Sequence, residues 1–216
     1  MTEIIRIHST KPDLAIIQRA AGALAHEQLV VFPTETVYGL AGDLYSEKAA
    51  QVVYKIKGRD PGKPLPVQVS SLEELKALAL NLADEAMALV ERFMPGPITL
   101  VLNRSPHVPD WINPDGSTVG IRWPDHPVAL SLLQKFGRPI FAPSANRSGQ
   151  PPPVTAQEAM SSLGDEPEIG LALDSGPTAG GLASTVVDLT CRPVRILRQG
   201  PITREQIERF MPVASA

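Results

Sequence analysis

Hydrophobic and polar positions along this chain form blocks that predict strands and helices in alternation. Continuous apolar runs typical of buried strands occur at 29–32 and 98–102, and residues 117–123 alternate between apolar and polar as a half-buried strand does. Shorter apolar runs predict further strands at 4–7, 65–69, 139–142, 169–174, 184–189 and 194–197.

Helical periodicity fills most of the intervals between those runs. Apolar residues three and four positions apart, often after a capping residue, predict a series of helices. They begin near Pro12, Ser46, Ser71, His126, Thr155 and Thr203, and one more ends before Pro95. The first helix has Leu14 and Ile17 on its predicted buried face. Strands and helices that interleave without a repeat or a linker predict a single α/β domain over residues 1–216. We expect a twisted, mixed β-sheet flanked by helices.

Composition narrows the class of protein. The 216 residues are 43% hydrophobic and 20% charged, as in ordinary globular proteins, and the net charge of −3 gives no general attraction to nucleic acid. The single cysteine, Cys191, excludes an internal disulfide. The sequence has neither a signal peptide nor an apolar run long enough to span a membrane. We therefore expect a cytoplasmic protein with no membrane segment.

Residue spacing excludes several common chemistries. The histidines and the cysteine never fall at the separations of zinc ligands, so no protein-held metal site is predicted. There is no nucleophile elbow, and no dinucleotide-binding glycine motif follows a predicted strand. Residues 58–63, GRDPGK, look like a phosphate loop. However, their glycine spacing is wrong, and Pro64 stands where a hydroxyl residue would hold magnesium.

A basic stretch is nevertheless the strongest signal for an anionic ligand. Cations crowd a predicted helix end and the proline-stiffened loop after it, at Lys55, Lys57, Arg59 and Lys63. We expect Lys57 and Arg59 in that loop. Guanidinium and ammonium groups suit phosphate or carboxylate oxygens, although a solvated basic turn would have the same composition.

Polar side chains also stand repeatedly where predicted strands begin or end. They are Thr34, Thr36, Ser144, Asn146, Ser184, Thr185 and Arg198. Each group alone fits an ordinary polar turn. Together they suit a ligand that carries phosphates, a carboxylate and a hydroxyl.

The strand at 117–123 adds a polar face. Because side chains alternate along a strand, Thr118, Gly120 and Arg122 share one side. A hydroxyl, a gap and a guanidinium on one side suit the carboxylate of a small ligand, and a solvent-exposed face is the alternative.

Six motifs in this order resemble the YrdC family of threonylcarbamoyl-AMP synthases. They are FPTETVYGLAGD at 32–43, KIKGRDPGKPLPV at 55–67, PGPITLVL at 95–102, TVGIRWPDHP at 118–127, APSANRSGQPPP at 142–153, and STVVDL to ILRQGP across 184–201. The resemblance covers nearly the whole chain and implies the short, single-domain form of the YrdC-like fold. Lys57 and Arg59 match the family's K-x-R pair, which favours the synthase over the YciO-like branch of unknown activity.

The resemblance implies an enzyme of the nucleotidyltransferase class. It would form threonylcarbamoyl-AMP and pyrophosphate from L-threonine, bicarbonate and ATP, with Mg²⁺ on the phosphates. The product would feed a tRNA threonylcarbamoyl transferase, which modifies the adenosine next to the anticodon.

The same resemblance implies roles for individual residues. The catalytic set would be Lys57, Arg59, Ser144 and Asn146. ATP would be bound by Arg59, Lys63, Thr118, Ser144, Pro152 and Arg198. L-Threonine would be bound by Thr36, Gln68, Arg122, Ala142 and Ser184, with Arg122 on its carboxylate. Two positions depart from the family: Gln68 stands where relatives often have histidine, and Pro152 stands where some have serine.

Two other functions stay open at this point. A double-stranded RNA-binding module, or weak RNA binding, would fit the fold and the basic stretch, but no aromatic platform accompanies the cations. A carbamoyl-transferring relative of the hydrogenase-maturation proteins would share the nucleotide site, but the zinc-binding and acylphosphatase segments of those proteins are absent. Glu35 could orient a ligand, and we expect instead that it pairs with a basic neighbour.

Overall fold

Alternation of side chains decides how the central strand is buried. The computed structural model describes residues 2–114 and 116–214, and in it strand β2 (Leu29–Phe32) is buried on both faces. Leu29 and Val31 pack into one hydrophobic core, and Val30 and Phe32 pack into a second. The sheet therefore has a core on each side, as a sheet covered by helices on both faces requires.

Ten strands of the described residues form one mixed sheet. Besides β2 they are β1 (Glu3–Arg6), β3 (Gly39–Asp43), β4 (Val67–Gln68), β5 (Ile98–Asn103), β6 (Thr118–Arg122), β7 (Ile140–Phe141), β8 (Ile169–Asp174), β9 (Thr185–Asp188) and β10 (Arg195–Arg198). Their order is β1-β8-β2-β3-β7-β4-β6-β5-β9-β10. The pairs β1–β8, β2–β8, β4–β6 and β5–β9 are parallel and the others are antiparallel, so the predicted mixed sheet is confirmed.

The helices divide between the two cores. Their bounds are α1 (Leu14–Ala25), α2 (Glu47–Lys57), α3 (Leu72–Leu78), α4 (Asp84–Phe93), α5 (Pro127–Phe136), α6 (Ala156–Leu163) and α7 (Arg204–Glu208), with a 3₁₀ turn at Asp110–Ile112. Helices α1 and α5 supply the core that contains Val30 and Phe32. Helices α2, α3, α4, α6 and α7 supply the other core. No helix in the described part of the chain is both long and apolar enough to cross a membrane.

Most predicted helix starts are confirmed by their caps. Side chains of Asp13, Ser46, Ser71, His126, Thr155 and Thr203 each accept a hydrogen bond from a backbone N–H of the first turn. The prediction of a buried Leu14 is wrong: this first residue of α1 is 76% exposed, and the buried residues of the helix begin at Ile17. Strands β4 and β7 are also shorter than predicted, since the prolines that flank or interrupt their sequences cannot donate to a ladder.

Candidate active site

One face of the sheet is polar where β4, β6, β5 and β9 lie side by side. Alternate residues of these strands line a cavity of about 280 Å³, namely Gln68, Thr99, Val101, Thr118, Gly120, Arg122, Ser184 and Val186. The strand register places these residues side by side, because Gln68 lies opposite Arg122 and Thr99 lies opposite Val186. The face that carries Thr118, Gly120 and Arg122 therefore borders a cavity, as predicted, and not open solvent.

Arg122 is the buried cation of this cavity. It is only 6% exposed, and its Nη2 atom lies 2.7 Å from Oε1 of Glu35, so the pairing expected for Glu35 is observed. The angles of this ion pair are not those of a hydrogen bond. Among the described residues, Nε and Nη2 of Arg122 and both Glu35 oxygens have no hydrogen-bond partner. Buried donors without an acceptor are costly, so Arg122 is suited to bind an anionic ligand.

Gln68 lines the cavity beside Arg122 and has the opposite hydrogen-bonding requirement. Its side chain is 3% exposed, and its Oε1 atom is buried without a donor within the described residues. A carbonyl oxygen accepts from N–H or O–H groups, whereas the guanidinium only donates. The neighbouring pair can therefore receive a small ligand that carries both a donor and a carboxylate.

Arg198 enters the cavity from β10 and holds Ser184. Its Nε atom donates to the Ser184 carbonyl oxygen at 3.0 Å, and its Nη2 atom donates to Ser184 Oγ at 3.1 Å. Ser184 Oγ lies 2.8 Å from Thr99 Oγ1. Burial and the positive charge of Arg122 lower the pKa of Arg198. Two cations that repel each other across one cavity favour a ligand with several negative oxygens.

Arg59 borders the cavity from the loop after α2. Gly58 caps the end of helix α2, and its φ of 56° is in the left-handed region that glycine adopts without strain. The Arg59 Nη2 atom donates to the carbonyl oxygen of Pro64 at 2.8 Å. Burial lowers the pKa of Arg59, and the nearby Tyr54 and Asp60 oppose that effect. Because its hydrogen-bond acceptors are neutral carbonyls, the Arg59 charge is available to a ligand.

Lys57 is not in the loop where we expected it. It is the last residue of α2 and is 3% exposed. Its Nζ atom donates to the carbonyl oxygens of Ser144 and Asn146, each at 2.5 Å. Burial, with a smaller effect from the charge of Arg59, lowers the pKa of Lys57 to about 8. Lys57 therefore ties the end of α2 to the turn after β7, a contact that the sequence could not show because its acceptors lie far along the chain.

The predicted site residues fall into two groups. Those that line the cavity are Arg59, Gln68, Thr118, Arg122, Ala142, Ser144, Ser184 and Arg198. Those outside its lining are Thr36, Lys57, Lys63, Asn146 and Pro152. Lys63 and Pro152 are exposed, whereas Thr36 and Asn146 are buried. Thr36 Oγ1 lies 2.9 Å from Thr34 Oγ1, and the Asn146 amide donates to the carbonyls of Arg147 and Gln150. Both therefore serve local turns in this structure.

Two further polar residues, Tyr38 and Thr99, line the cavity without having been predicted, and Thr34 of the predicted strand-end hydroxyls lines it as well. Thr34 belongs to the same hydroxyl cluster as Thr36, and Tyr38 donates its hydroxyl to the Gly176 carbonyl at 2.7 Å. Thr99 is the one hydroxyl residue within the apolar run 98–102. A polar residue inside a buried strand was the available signal for it.

The cavity is cationic and hydroxyl-rich. In the described part of the chain, no carboxylate lines it, and no group of three or more His, Cys, Asp or Glu side chains could hold a metal ion. Such a lining can neutralise phosphate and carboxylate oxygens but does not provide the oxygen ligands that magnesium prefers.

Comparison with known proteins agrees with this geometry. Residues 22–200 match the Sua5/YciO/YrdC family, whose description reads telomere recombination. The chain belongs to the Sua5/YciO/YrdC family. The resemblance seen in the six motifs is therefore confirmed.

Relatives of this Sua5/YciO/YrdC chain differ in length. The threonylcarbamoyl-AMP synthase of Pyrococcus abyssi is 41% identical over 98% of the chain, which spans 61% of that relative. The structure of P. abyssi Sua5 complexed with L-threonine has a TM-score of 0.92 at 39% identity, over 99% of this chain and 63% of that one. The structure of Escherichia coli YciO has a TM-score of 0.84 at 25% identity, over 93% and 97% of the two chains. These similarities confirm the predicted fold.

Proposed function

We propose that this chain is a threonylcarbamoyl-AMP synthase, which converts L-threonine, bicarbonate and ATP into threonylcarbamoyl-AMP and pyrophosphate. The observation that supports this most is Arg122, a buried guanidinium that lines the cavity with donors left unsatisfied. The P. abyssi relative, a threonylcarbamoyl-AMP synthase, and the structure of P. abyssi Sua5 with L-threonine support the same substrate.

In this proposal the amino acid lies over β4 and β6. Arg122 binds the threonine carboxylate through its planar fork, and Gln68 Oε1 accepts from the threonine amine. Ser184, the residue before β9, binds the threonine hydroxyl. Ala142 has a small side chain, so the ligand can come close to the backbone there.

ATP lies toward the loop after α2 and toward β10. Arg59 and Arg198 neutralise its phosphates, and the hydroxyls of Thr118 and Ser144 orient it. Magnesium bound to the nucleotide would help to neutralise its phosphates, and within the described residues no carboxylate lines the cavity to hold the metal directly. Lys57 acts through its contact with the Ser144 and Asn146 carbonyls.

The reaction needs positioned charges more than acids or bases. Bicarbonate supplies carbon dioxide and hydroxide, the nitrogen of the neutral threonine amine bonds to the carbon of carbon dioxide to give a carbamate, and the proton that the nitrogen loses combines with the hydroxide as water. A carbamate oxygen then attacks the α-phosphorus, and the bond from that phosphorus to the bridging oxygen breaks as pyrophosphate leaves. Positioning and charge neutralisation account for most of the acceleration in such a transfer.

The acyl-adenylate product is a reactive intermediate that a second enzyme must consume. We propose a tRNA threonylcarbamoyl transferase for that step, and weak RNA binding by this chain stays a prediction.

Product analysis with isotopically labelled bicarbonate tests the proposal. We expect the label in a compound whose mass equals AMP joined to a threonylcarbamoyl group, formed only when L-threonine and ATP are both present. Label that never enters an AMP-containing product would overturn the proposal.

A further inference from the structure

Thr99 has no role in the function proposed above, yet its position is unusual. It is 5% exposed in β5, and it lines the cavity. Its hydroxyl lies 2.8 Å from Oγ of Ser184, the residue immediately before the neighbouring strand β9. A hydroxyl in a buried strand is costly unless it has a hydrogen-bond partner, and here the partner is itself a cavity residue.

Counting donors and acceptors shows what this pair of hydroxyls can offer a ligand. Arg198 can only donate, so Ser184 Oγ accepts its Nη2–H. If Thr99 also donates to Ser184, both acceptor positions of Ser184 are filled and the Ser184 proton is free. If Ser184 donates to Thr99, the Thr99 proton is free. In either arrangement one O–H remains to donate into the cavity.

The methyl group of Thr99 faces the position where Gly120 lacks a side chain. A Cβ atom built on Gly120 would lie 3.4 Å from Thr99 Cγ2 and 4.0 Å from Val101 Cγ2. These two methyl groups therefore bound the gap over Gly120 on the polar face of β6. Thr99 places a hydroxyl and a methyl at neighbouring points of the same wall.

We infer that Thr99 is a specificity-determining residue, which orients the Ser184 hydroxyl and bounds the space for a substrate methyl group. The inference rests on the proposed function and deepens it. A β-hydroxy amino acid with a γ-methyl group satisfies both features at once. Valine offers no acceptor for the free O–H, and serine leaves the space beside the methyl groups unfilled.

Two substitutions separate the two features. Thr99→Val keeps the shape and removes the hydroxyl, so the preference for threonine over valine should fall about tenfold while the preference over serine is kept. Thr99→Ser keeps the hydroxyl and removes the methyl, so the preference over serine should fall about tenfold while the preference over valine is kept. Calorimetric titration of each variant with the three amino acids measures these ratios.

Controls distinguish specificity from general damage. ATP affinity should stay unchanged in both variants, and Thr190→Val, an exposed threonine on the turn after β9, should keep both ratios. The inference would be overturned if both Thr99 variants kept the preferences for threonine over valine and over serine. It would also be overturned if each variant lost both preferences equally. Neither result would overturn the proposed function. An unmodified chain that binds no threonine would overturn the proposed function and the inference together.

Discussion

At the scale of single residues, the kind of ligand that the cavity attracts depends on the hydrogen-bond and ion-pair partners of its three arginines. Arg59 donates to carbonyls, Arg198 donates to Ser184, and Arg122 has only the poorly aligned Glu35. Carbonyls and hydroxyls satisfy donors without neutralising charge. Arg59 and Arg198 therefore keep most of their attraction for an anionic ligand, whereas the charge of Arg122 is shared with Glu35 and its unsatisfied donors are what it offers a ligand.

Removing one of these charges should impair turnover more than folding. We expect Arg59→Ala to reduce the rate by about 10²–10³, the loss usual for one preorganised charge contact. Steady-state pyrophosphate release measures this rate. Arg192→Ala, an exposed arginine paired with Glu85, is the matched control and should keep its activity. A near-normal rate for Arg59→Ala would contradict the role of Arg59.

The geometry of Arg122 should matter as much as its charge. Lysine cannot reproduce the bidentate fork, so Arg122→Lys should weaken threonine binding about tenfold or more and change ATP binding far less. Calorimetric titration with each ligand separates the two effects. Arg104→Lys alters an arginine paired with Asp110 outside the cavity and should change neither. Equal losses for both ligands would show that Arg122 does not discriminate between them.

Single residues could be predicted where the alternation of side chains along a strand, or a family motif, identified them. The alternation of side chains alone placed Thr118, Gly120 and Arg122 on one face of the strand, and that face lines the cavity. The same alternation could have identified Thr99 as a candidate site residue. However, threonine is common in strands, so a threonine within an apolar run does not stand out. The acceptors of Lys57 belong to residues 144 and 146, so no local pattern could reveal its burial.

At the scale of elements, the end of α2 is fixed to the turn after β7 by Lys57. A neutral amine still has two hydrogens, so both carbonyl contacts can survive deprotonation. The folded pKa of about 8 lies below the ordinary value of 10.5. Between these values the folded protein binds fewer protons than the unfolded chain, so the contribution of Lys57 to stability grows as pH rises.

The increase with pH in the contribution of Lys57 to stability can be measured by comparing free energies of unfolding at two pH values. From pH 7.5 to 9.5, the unmodified protein should gain about 2 kcal/mol relative to Lys57→Met. Denaturant titration of both proteins at each pH gives the difference. Lys55→Met changes an exposed lysine of the same helix and should leave the pH slope unaltered. A difference that shrinks or stays constant with pH would refute the lowered pKa.

Helices and strands were predictable because their signals are local. Cap residues and apolar periodicity gave the starts of α1, α2, α3, α5, α6 and α7, and apolar runs gave the longer strands. The ends of β4 and β7 were not, since their prolines limit the ladder to two residues each.

At the scale of the whole molecule, the cavity depends on strand order. It borders β4, β6, β5, β9 and β10, and the neighbouring pairs β4–β6 and β5–β9 join strands that are not consecutive in the sequence. Apolar runs predict that strands exist but not which strands pair. The motif resemblance supplied the fold, while register and the joining of Gln68 to Arg122 came from the structure.

Because the ligand site joins many strands, binding should stabilise the whole fold. L-Threonine at 100 times its dissociation constant should raise the free energy of unfolding by about 2.7 kcal/mol, since only the folded chain binds it. Chemical denaturation with and without the amino acid measures this gain. Valine at the same concentration, which offers no acceptor for the free O–H at Ser184 and Thr99, is the control and should give little. Equal stabilisation by both amino acids would argue against a threonine site.

The central claim is that one cavity brings three substrates together in a single reaction. Pyrophosphate release from ATP, measured while L-threonine and bicarbonate are omitted in turn, tests it most directly. We expect release only when both are present with ATP. Release that continues at an equal rate without threonine or without bicarbonate would contradict the account.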